Sequence, residues 1–168
     1  CQQEAQREKG FRLLVERYQA RLYWHIRRLV IEHEDANDVL QNCLLKAYKS
    51  IGKFKKKSKL YTWLYRIATN ESLTFLKKKK RKSTHSLDDV DMNLANQLRT
   101  DPYFDGDELE IKLQVAINQL PEKQQLVFNM RYFDEMTYRE ISQVLGTSTG
   151  SLKASYHHAA KKIEAYLT

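Results

Sequence analysis

Residues 144–157 read VLGTSTGSLKASYH, and residues 136–143 before them read MTYREISQ. Together they spell a short helix, a turn at Gly146 and a second helix. Thr137 stands where an N-cap is wanted, with Glu140 at the capping-box spacing. Ile141, Val144 and Leu145 share the inner face of the first helix. Leu152, Tyr156 and Ala159 share the facing side of the second. Two helices joined by a short glycine turn make either a plain helical hairpin or the helix-turn-helix unit whose second helix enters the major groove of DNA. The rest of the chain decides between them.

The chain has 168 residues, room for one domain or two small ones. It holds five glycines and two prolines, which favours long helices over tight turns. No apolar run approaches the roughly 20 residues a bilayer demands, so no membrane insertion of its own is expected. Residues 1–7 lack an apolar core, so no signal peptide is expected in them. Cys1 and Cys43 cannot form a disulfide framework. Cys43 lies on the apolar side of a helix, which points to a buried free thiol and a reducing, cytoplasmic setting. The net charge of +8 is unevenly spread: residues 1–82 hold 21 Lys and Arg against eight Asp and Glu, 83–110 hold one against eight, and 111–168 hold seven against five. A basic first part points to an anionic partner, nucleic acid before others.

Phe11, Leu14, Val15, Tyr18, Leu22 and Ile26 predict an amphipathic helix over about 11–30. Its other face carries Arg17, Arg21, Arg27 and Arg28, either solvated or touching phosphate. A second helix over about 35–51 turns Ala36, Val39, Leu40, Cys43, Leu44, Ala47 and Ile51 inward. Asp35, Asp38, Gln41 and Leu45 lie on its outer side, either as a solvated face or as a protein contact. Residues 52–59, GKFKKKSK, form a basic loop. It is either a solvated turn with Phe54 tucked inward or a loop lying beside nucleic acid, its lysines neutralising phosphates.

A third helix begins near Leu60, with Leu60, Trp63, Leu64, Ile67 and Ala68 as its core stripe. Tyr61, Tyr65, Arg66 and Asn70 fall largely away from that stripe, and side chains of these types stack on and hydrogen-bond exposed bases. Trp63 is assigned to the core, while Tyr65 and Asn70 stay open. Residues 77–82 are six consecutive cations, which repel one another unless an anion is near. Residues 83–107 show no helical periodicity and read as a flexible acidic linker. Helices are predicted over about 107–119, from Pro121 to about 132, and through the helix-turn-helix to about 167.

Catalytic signatures are missing. There is no glycine-rich phosphate loop and no nucleophile elbow, and the adjacent His157 and His158 point apart from a helix rather than pairing on a metal. No enzymatic activity, cofactor or metal is expected.

Taken in order, the blocks FRLLVERY (11–18), DANDVLQNCLLKAY (35–48), Phe54, Ser58, TWLYRIATN (62–70), LPEKQQLVF (120–128), YREIS (138–142), Leu145, Gly146 and SLK (151–153) resemble the extracytoplasmic-function sigma factors of bacterial RNA polymerase, within the sigma-70 family. The resemblance spans about 10–82 and 108–166. It implies an all-α protein of two small helical domains, sigma region 2 over 1–82 and sigma region 4 over 108–168, joined by the linker 83–107. It implies transcription initiation at promoters, with bacterial core RNA polymerase and promoter DNA as partners, and an anti-sigma factor besides. Asp35, Asp38, Gln41 and Leu45 match the surface that docks on the polymerase. Lys53, Phe54, Lys55, Lys56, Lys57, Ser58, Tyr61, Tyr65, Arg66, Asn70, Lys77 and Lys78 match the part that melts the minus-10 element. Thr147, Ser148, Ser151, Lys153, Ala154, Ser155, His157, His158 and Lys161 match the helix that reads the minus-35 element. The chain departs from the family pattern at Leu60, where an aromatic is usual, and at Thr74, where an acidic residue is frequent. It departs also at Lys56, in place of a common glycine, and at Ser155 and His158, where arginine is frequent.

Overall fold

A computed structural model describes residues 1–54, 58–82 and 87–168, the side chains of 87–91 excepted. Every regular element among the described residues is helical, as expected. The chain divides into two compact units, one built on Cys1–Arg81 and the other on Lys82–Ser142 with Gly146–Thr168.

The first unit holds α1 (Gln2–Val30), α2 (His33–Ser50) and α3 (Leu60–Arg81), each packed on the other two. α1 starts well before residue 11, on a polar turn whose side chains all face solvent. Its apolar stripe buries Leu14, Leu22, Ile26, Leu29 and Val30 against Ala36, Val39, Leu40, Cys43 and Ala47 of α2 and Leu64 and Ala68 of α3. The turn from α1 to α2 is tight: Ile31 sits at φ 76°, a backbone conformation that β-branched residues rarely adopt. Arg27 secures it. Its guanidinium, 4% exposed, donates through Nε to the Ile31 carbonyl at 2.5 Å and through Nη1 to the Tyr23 hydroxyl at 2.9 Å.

α3 is rotated from its expected setting. Trp63, assigned to the core, is only half-buried, whereas Tyr65, left open from the sequence, is fully buried. The buried face is completed by Thr62, Thr69 and Ser72. Thr69 and Ser72 can turn inward because the helix satisfies them: the Thr69 hydroxyl donates to the Tyr65 carbonyl at 2.6 Å, and that of Ser72 to the Ala68 carbonyl at 2.8 Å. Thr69 also lies 2.9 Å from His25 Nε2. Since its one proton goes to Tyr65, His25 must be the donor, which fixes the imidazole proton on Nε2. A hydropathy stripe treats such hydroxyls as outward-facing and so sets the helix off by part of a turn.

The second unit holds α4 (Leu87–Thr100), α5 (Glu108–Asn118), α6 (Glu122–Phe128), α7 (Tyr138–Leu145) and α8 (Thr149–Leu167), with a π-helical turn over Asn129–Phe133. Its core gathers Ala116, Ile117, Leu120, Phe128, Ala159 and Ile163. α4 corrects the expected structureless linker. It packs on α5 and buries Leu94 and Leu98, one turn apart. The aspartates that suggested a linker fall at its start, where acidic residues favour a helix N-terminus. Asp107 then caps α5 through a full capping box with Glu110. Between the two helices, Arg99 grips Glu108 with two parallel hydrogen bonds, at 2.8 and 3.1 Å.

Candidate nucleic-acid interface

In the second unit the helix-turn-helix forms as its residues predict. Thr137 caps α7, accepting from the Glu140 N–H at 3.1 Å while Glu140 accepts from the Thr137 N–H at 3.1 Å. Gly146 ends α7 in the left-handed region at φ 68°, its N–H bonded to the Ser142 carbonyl at 2.8 Å. Ser142 Oγ donates to the Thr147 carbonyl at 2.6 Å, closing the turn, and Ser148 caps α8 by accepting from the Ser151 N–H at 3.2 Å. Ile141 of α7 and Leu152 and Ala159 of α8 are fully buried, Ala159 in the core with Ala116, Ile117, Leu120, Phe128 and Ile163. This leaves Ser148, Lys153, Ala154, His157, His158 and Lys161 exposed along α8, with Thr147, Ser151 and Ser155 half-buried. Sequence reasoning missed Lys123, at the start of α6, whose ammonium donates to Ser151 Oγ at 2.6 Å. Only the tertiary fold brings it beside α8.

In the first unit Lys53 is exposed at the end of a short 3-10 turn, Ile51–Lys53. Phe54 is half-buried, its ring 5.2 Å from that of Trp63. Lys55, Lys56 and Lys57 lie outside the described residues. Ser58 and Tyr61 are half-buried, and Arg66, Asn70, Lys77 and Lys78 are exposed. Tyr65 is withdrawn from the surface: its ring centroid lies 4.6 Å from that of His25, inside the bundle. It belongs to the core and not to a base-reading edge. Arg21 was not singled out from the other α1 arginines, yet its guanidinium stands 4.9 Å over the Tyr61 ring, with Lys59 5.8 Å from the same ring. Behind Asn70 an open cleft of about 400 Å³ lies between α2 and α3, lined by Lys46, Lys49, Ser50, Ile67, Asn70 and Glu71.

The family model Sigma-70 region 2 matches residues 14–82, and Sigma-70, region 4 matches residues 110–163. The chain is 30% identical to the RNA polymerase sigma-H factor of Pseudomonas aeruginosa, across 95% of this chain and 87% of that protein. It belongs to the extracytoplasmic-function group of the sigma-70 family. The ECF RNA polymerase sigma factor SigW of Bacillus subtilis is 29% identical, across 95% of this chain and 90% of its own length. In fold the sigma factor is similar to RpoE of Bartonella quintana, solved in complex with the anti-sigma factor NepR (TM-score 0.76, 20% identity, 95% of this chain and 97% of that chain). It is similar also to CnrH, solved with the cytosolic domain of CnrY (TM-score 0.72, 20% identity, 95% and 88%). As a sigma factor it directs promoter-specific initiation by bacterial RNA polymerase, region 2 acting on the minus-10 element and region 4 on the minus-35 element.

The outer side of α2 in this sigma factor is partly neutralised by α3. Lys79 donates to Asp35 at 2.9 Å and to Glu32 at 3.3 Å. Burial works against the Lys79 charge, but the bonds to Asp35 and then Glu32 outweigh it and raise its pKa. One cation of the 77–82 run therefore has its counterions inside the protein. Asp35 is held by that pair, while Asp38, Gln41 and Leu45 continue the same stripe in the open, Leu45 being 58% exposed. No helix of the described residues is long and apolar enough to cross a membrane.

Proposed function

We propose the following division of labour along the sigma factor. Region 2 spans 1–82 and region 4 spans 108–168, with 83–107 connecting them. Asp38, Gln41 and Leu45, with Asp35 steadied by Lys79, dock on the largest subunit of core RNA polymerase. Polar residues around one exposed leucine suit a contact that must form and release. Lys53, Phe54, Ser58, Tyr61, Arg66, Asn70, Lys77 and Lys78, together with the lysines at 55–57, engage the minus-10 element. Cations on both sides of a stacking aromatic offset the few kcal/mol that unstacking a base requires.

The exposed edge of α8 from Ser148 to Lys161 reads the minus-35 element. Ser148 and the first-turn N–H groups suit a phosphate, and Lys153, His157 and Lys161 suit the groove. With few cations on that edge, region 4 alone binds weakly, and the second attachment through region 2 supplies the rest by raising effective concentration. The protein acts in the cytoplasm as a binding factor and not as an enzyme, and an anti-sigma protein is a partner, as one is for RpoE of Bartonella quintana.

The observation that carries this reading is the pairing, in one chain, of a capped helix-turn-helix with a basic helical bundle that presents Asn70 and Tyr61 beside exposed lysines. The test is reconstitution: the full chain added to bacterial core polymerase and a genomic promoter library gives discrete run-off transcripts that core alone does not. A chain that binds DNA yet never associates with core would sink it.

A further inference from the structure

We propose that Lys123, on α6 and so outside the helix-turn-helix, is a DNA-contacting residue of this chain. With Ser151 of α8 it clamps one backbone phosphate at the border of the minus-35 element and fixes how α8 lies in the groove. The inference rests on the reading of α8 given above and adds to it a site shared between two helices.

Lys123 is poorly placed for its own helix. It is exposed in the first turn of α6, where the helix macrodipole disfavours a cation. Nor is it needed to hold α6 on α8, because Phe128, Ala159 and Ile163 already share one core. Yet its ammonium donates to Ser151 Oγ at 2.6 Å, across the join between the two helices. An ammonium only donates, so the serine oxygen is the acceptor there and its own proton must go elsewhere. A helical serine commonly gives that proton to the carbonyl three or four residues back. Here the Thr147 carbonyl already accepts from Ser142 Oγ at 2.6 Å, and the Ser148 carbonyl from the Leu152 N–H at 3.1 Å. Among the described residues Ser151 Oγ has no hydrogen-bond partner besides Lys123. Its proton is left for a ligand.

Two groups with protons to give therefore stand side by side: the Ser151 O–H and the remaining N–H bonds of Lys123. One positive charge and two converging donors suit an anion with several acceptor oxygens, which on promoter DNA is a phosphate. Placement favours the strand over the bases. Ser148, Ser151 and Ser155 form one line along α8, and Ala154, His157 and Lys161 form the next. The second line is exposed and takes the groove. The first runs beside α6 and is half-buried at Ser151 and Ser155, so Ser151 meets the strand that borders the groove. A phosphate gripped from two helices cannot slide along one of them, and this holds α8 in register with its bases.

The test uses holoenzyme assembled from the full chain and bacterial core polymerase, with a promoter duplex recovered from the run-off experiment. Each phosphate along the minus-35 element is replaced in turn by an uncharged methylphosphonate, and binding is measured by filter retention. One such position costs the parent about tenfold, the loss expected of a hydrogen bond to a charged group. Lys123→Ala binds the unmodified duplex about tenfold more weakly and is indifferent to the methylphosphonate at that one position. Its log–log salt slope is smaller by about 1. Lys123→Arg, which keeps the charge and the donors, binds like the parent, and thermal melts of both variants match the parent's. Lys123→Ala that binds like the parent, or that pays for every methylphosphonate the parent pays for, overturns the clamp and leaves the pair a surface tether. Lys123→Ala that keeps the salt slope but changes which minus-35 base pairs are preferred puts Ser151 on a base and overturns it too. Holoenzyme that yields no promoter transcripts overturns the reading of α8 and the clamp with it.

Discussion

Two buried side chains carry the sharpest consequences at the level of single residues. His25 and Thr69 meet in the middle of the first unit, with the imidazole N–H given to a hydroxyl that is itself committed to the Tyr65 carbonyl. Thr69→Val keeps the shape and removes the acceptor, leaving a buried N–H without it. The expected loss is about 1–3 kcal/mol, read as a lower midpoint in urea. Cys43 is the second. Burial first, and the Glu71 carboxylate after it, push its thiol from 9.0 up to about 12 against the opposing effect of Lys46. The folded chain then keeps a proton that the unfolded chain releases. Stability is therefore full below about pH 9 and falls as pH rises towards about 12. In the folded chain a thiol reagent near neutral pH modifies Cys1, which is exposed, and spares Cys43, which is buried; both react once it is denatured. Equal labelling of both cysteines in the native state would contradict this.

At the level of elements, the two ends of the α7–α8 turn respond oppositely to the same substitution. Gly146 holds φ 68°, with nothing within 4 Å of where a Cβ would stand, so the penalty of Gly146→Ala is backbone strain alone, about 1–2 kcal/mol. Gly150 lies in the first turn of α8 and has equal room, so Gly150→Ala gains about 0.5 kcal/mol from helix propensity. Thermal melts of the two variants should move in opposite directions. α4 offers a second contrast. Leu98, 3% exposed, anchors it, and Leu98→Ala costs about 2–5 kcal/mol. Met92, 67% exposed, lies off that face, and Met92→Ala changes stability by less than about 0.5 kcal/mol. If both variants melt like the parent, α4 is not part of the folded second unit.

At the level of the whole molecule, the proposed polymerase contact and the proposed DNA contact lie on different helices of region 2. Asp38, Gln41 and Leu45 lie on the outside of α2, whereas Tyr61, Arg66 and Asn70 come from α3. Leu45→Ala weakens association with core polymerase by about tenfold, the loss typical of an interface anchor, while binding of the free chain to promoter DNA stays as it was. A pull-down and a filter-binding assay on the same variant measure the two. Loss of both together would mean that the two surfaces are not distinct.

The all-helical class, the helix-turn-helix with its Thr137 cap and Gly146 turn, and the family itself were legible in the residues alone, because each depends on local spacing. Capping, a left-handed turn and a 3.6-residue apolar stripe act within a few residues of one another. What only the tertiary structure decided depends on partners distant in the chain. The inward setting of Tyr65 goes with polar neighbours that are satisfied inside the bundle, Thr69 by the Tyr65 carbonyl and His25, and Ser72 by the Ala68 carbonyl, and hydropathy cannot register that polar groups have been satisfied. α4 hides among aspartates, although Leu94 and Leu98 already carry the spacing of a helix. Its stability comes from burying those two leucines on α5 and from the grip of Arg99 on Glu108. The withdrawal of Asp35 onto Lys79 joins residues 44 apart. Lys123 reaches Ser151 across 28 residues, and Lys46 meets Glu71 across 25. Local sequence sets which helices form; burial and long-range pairing set which of their faces remain to meet polymerase and DNA.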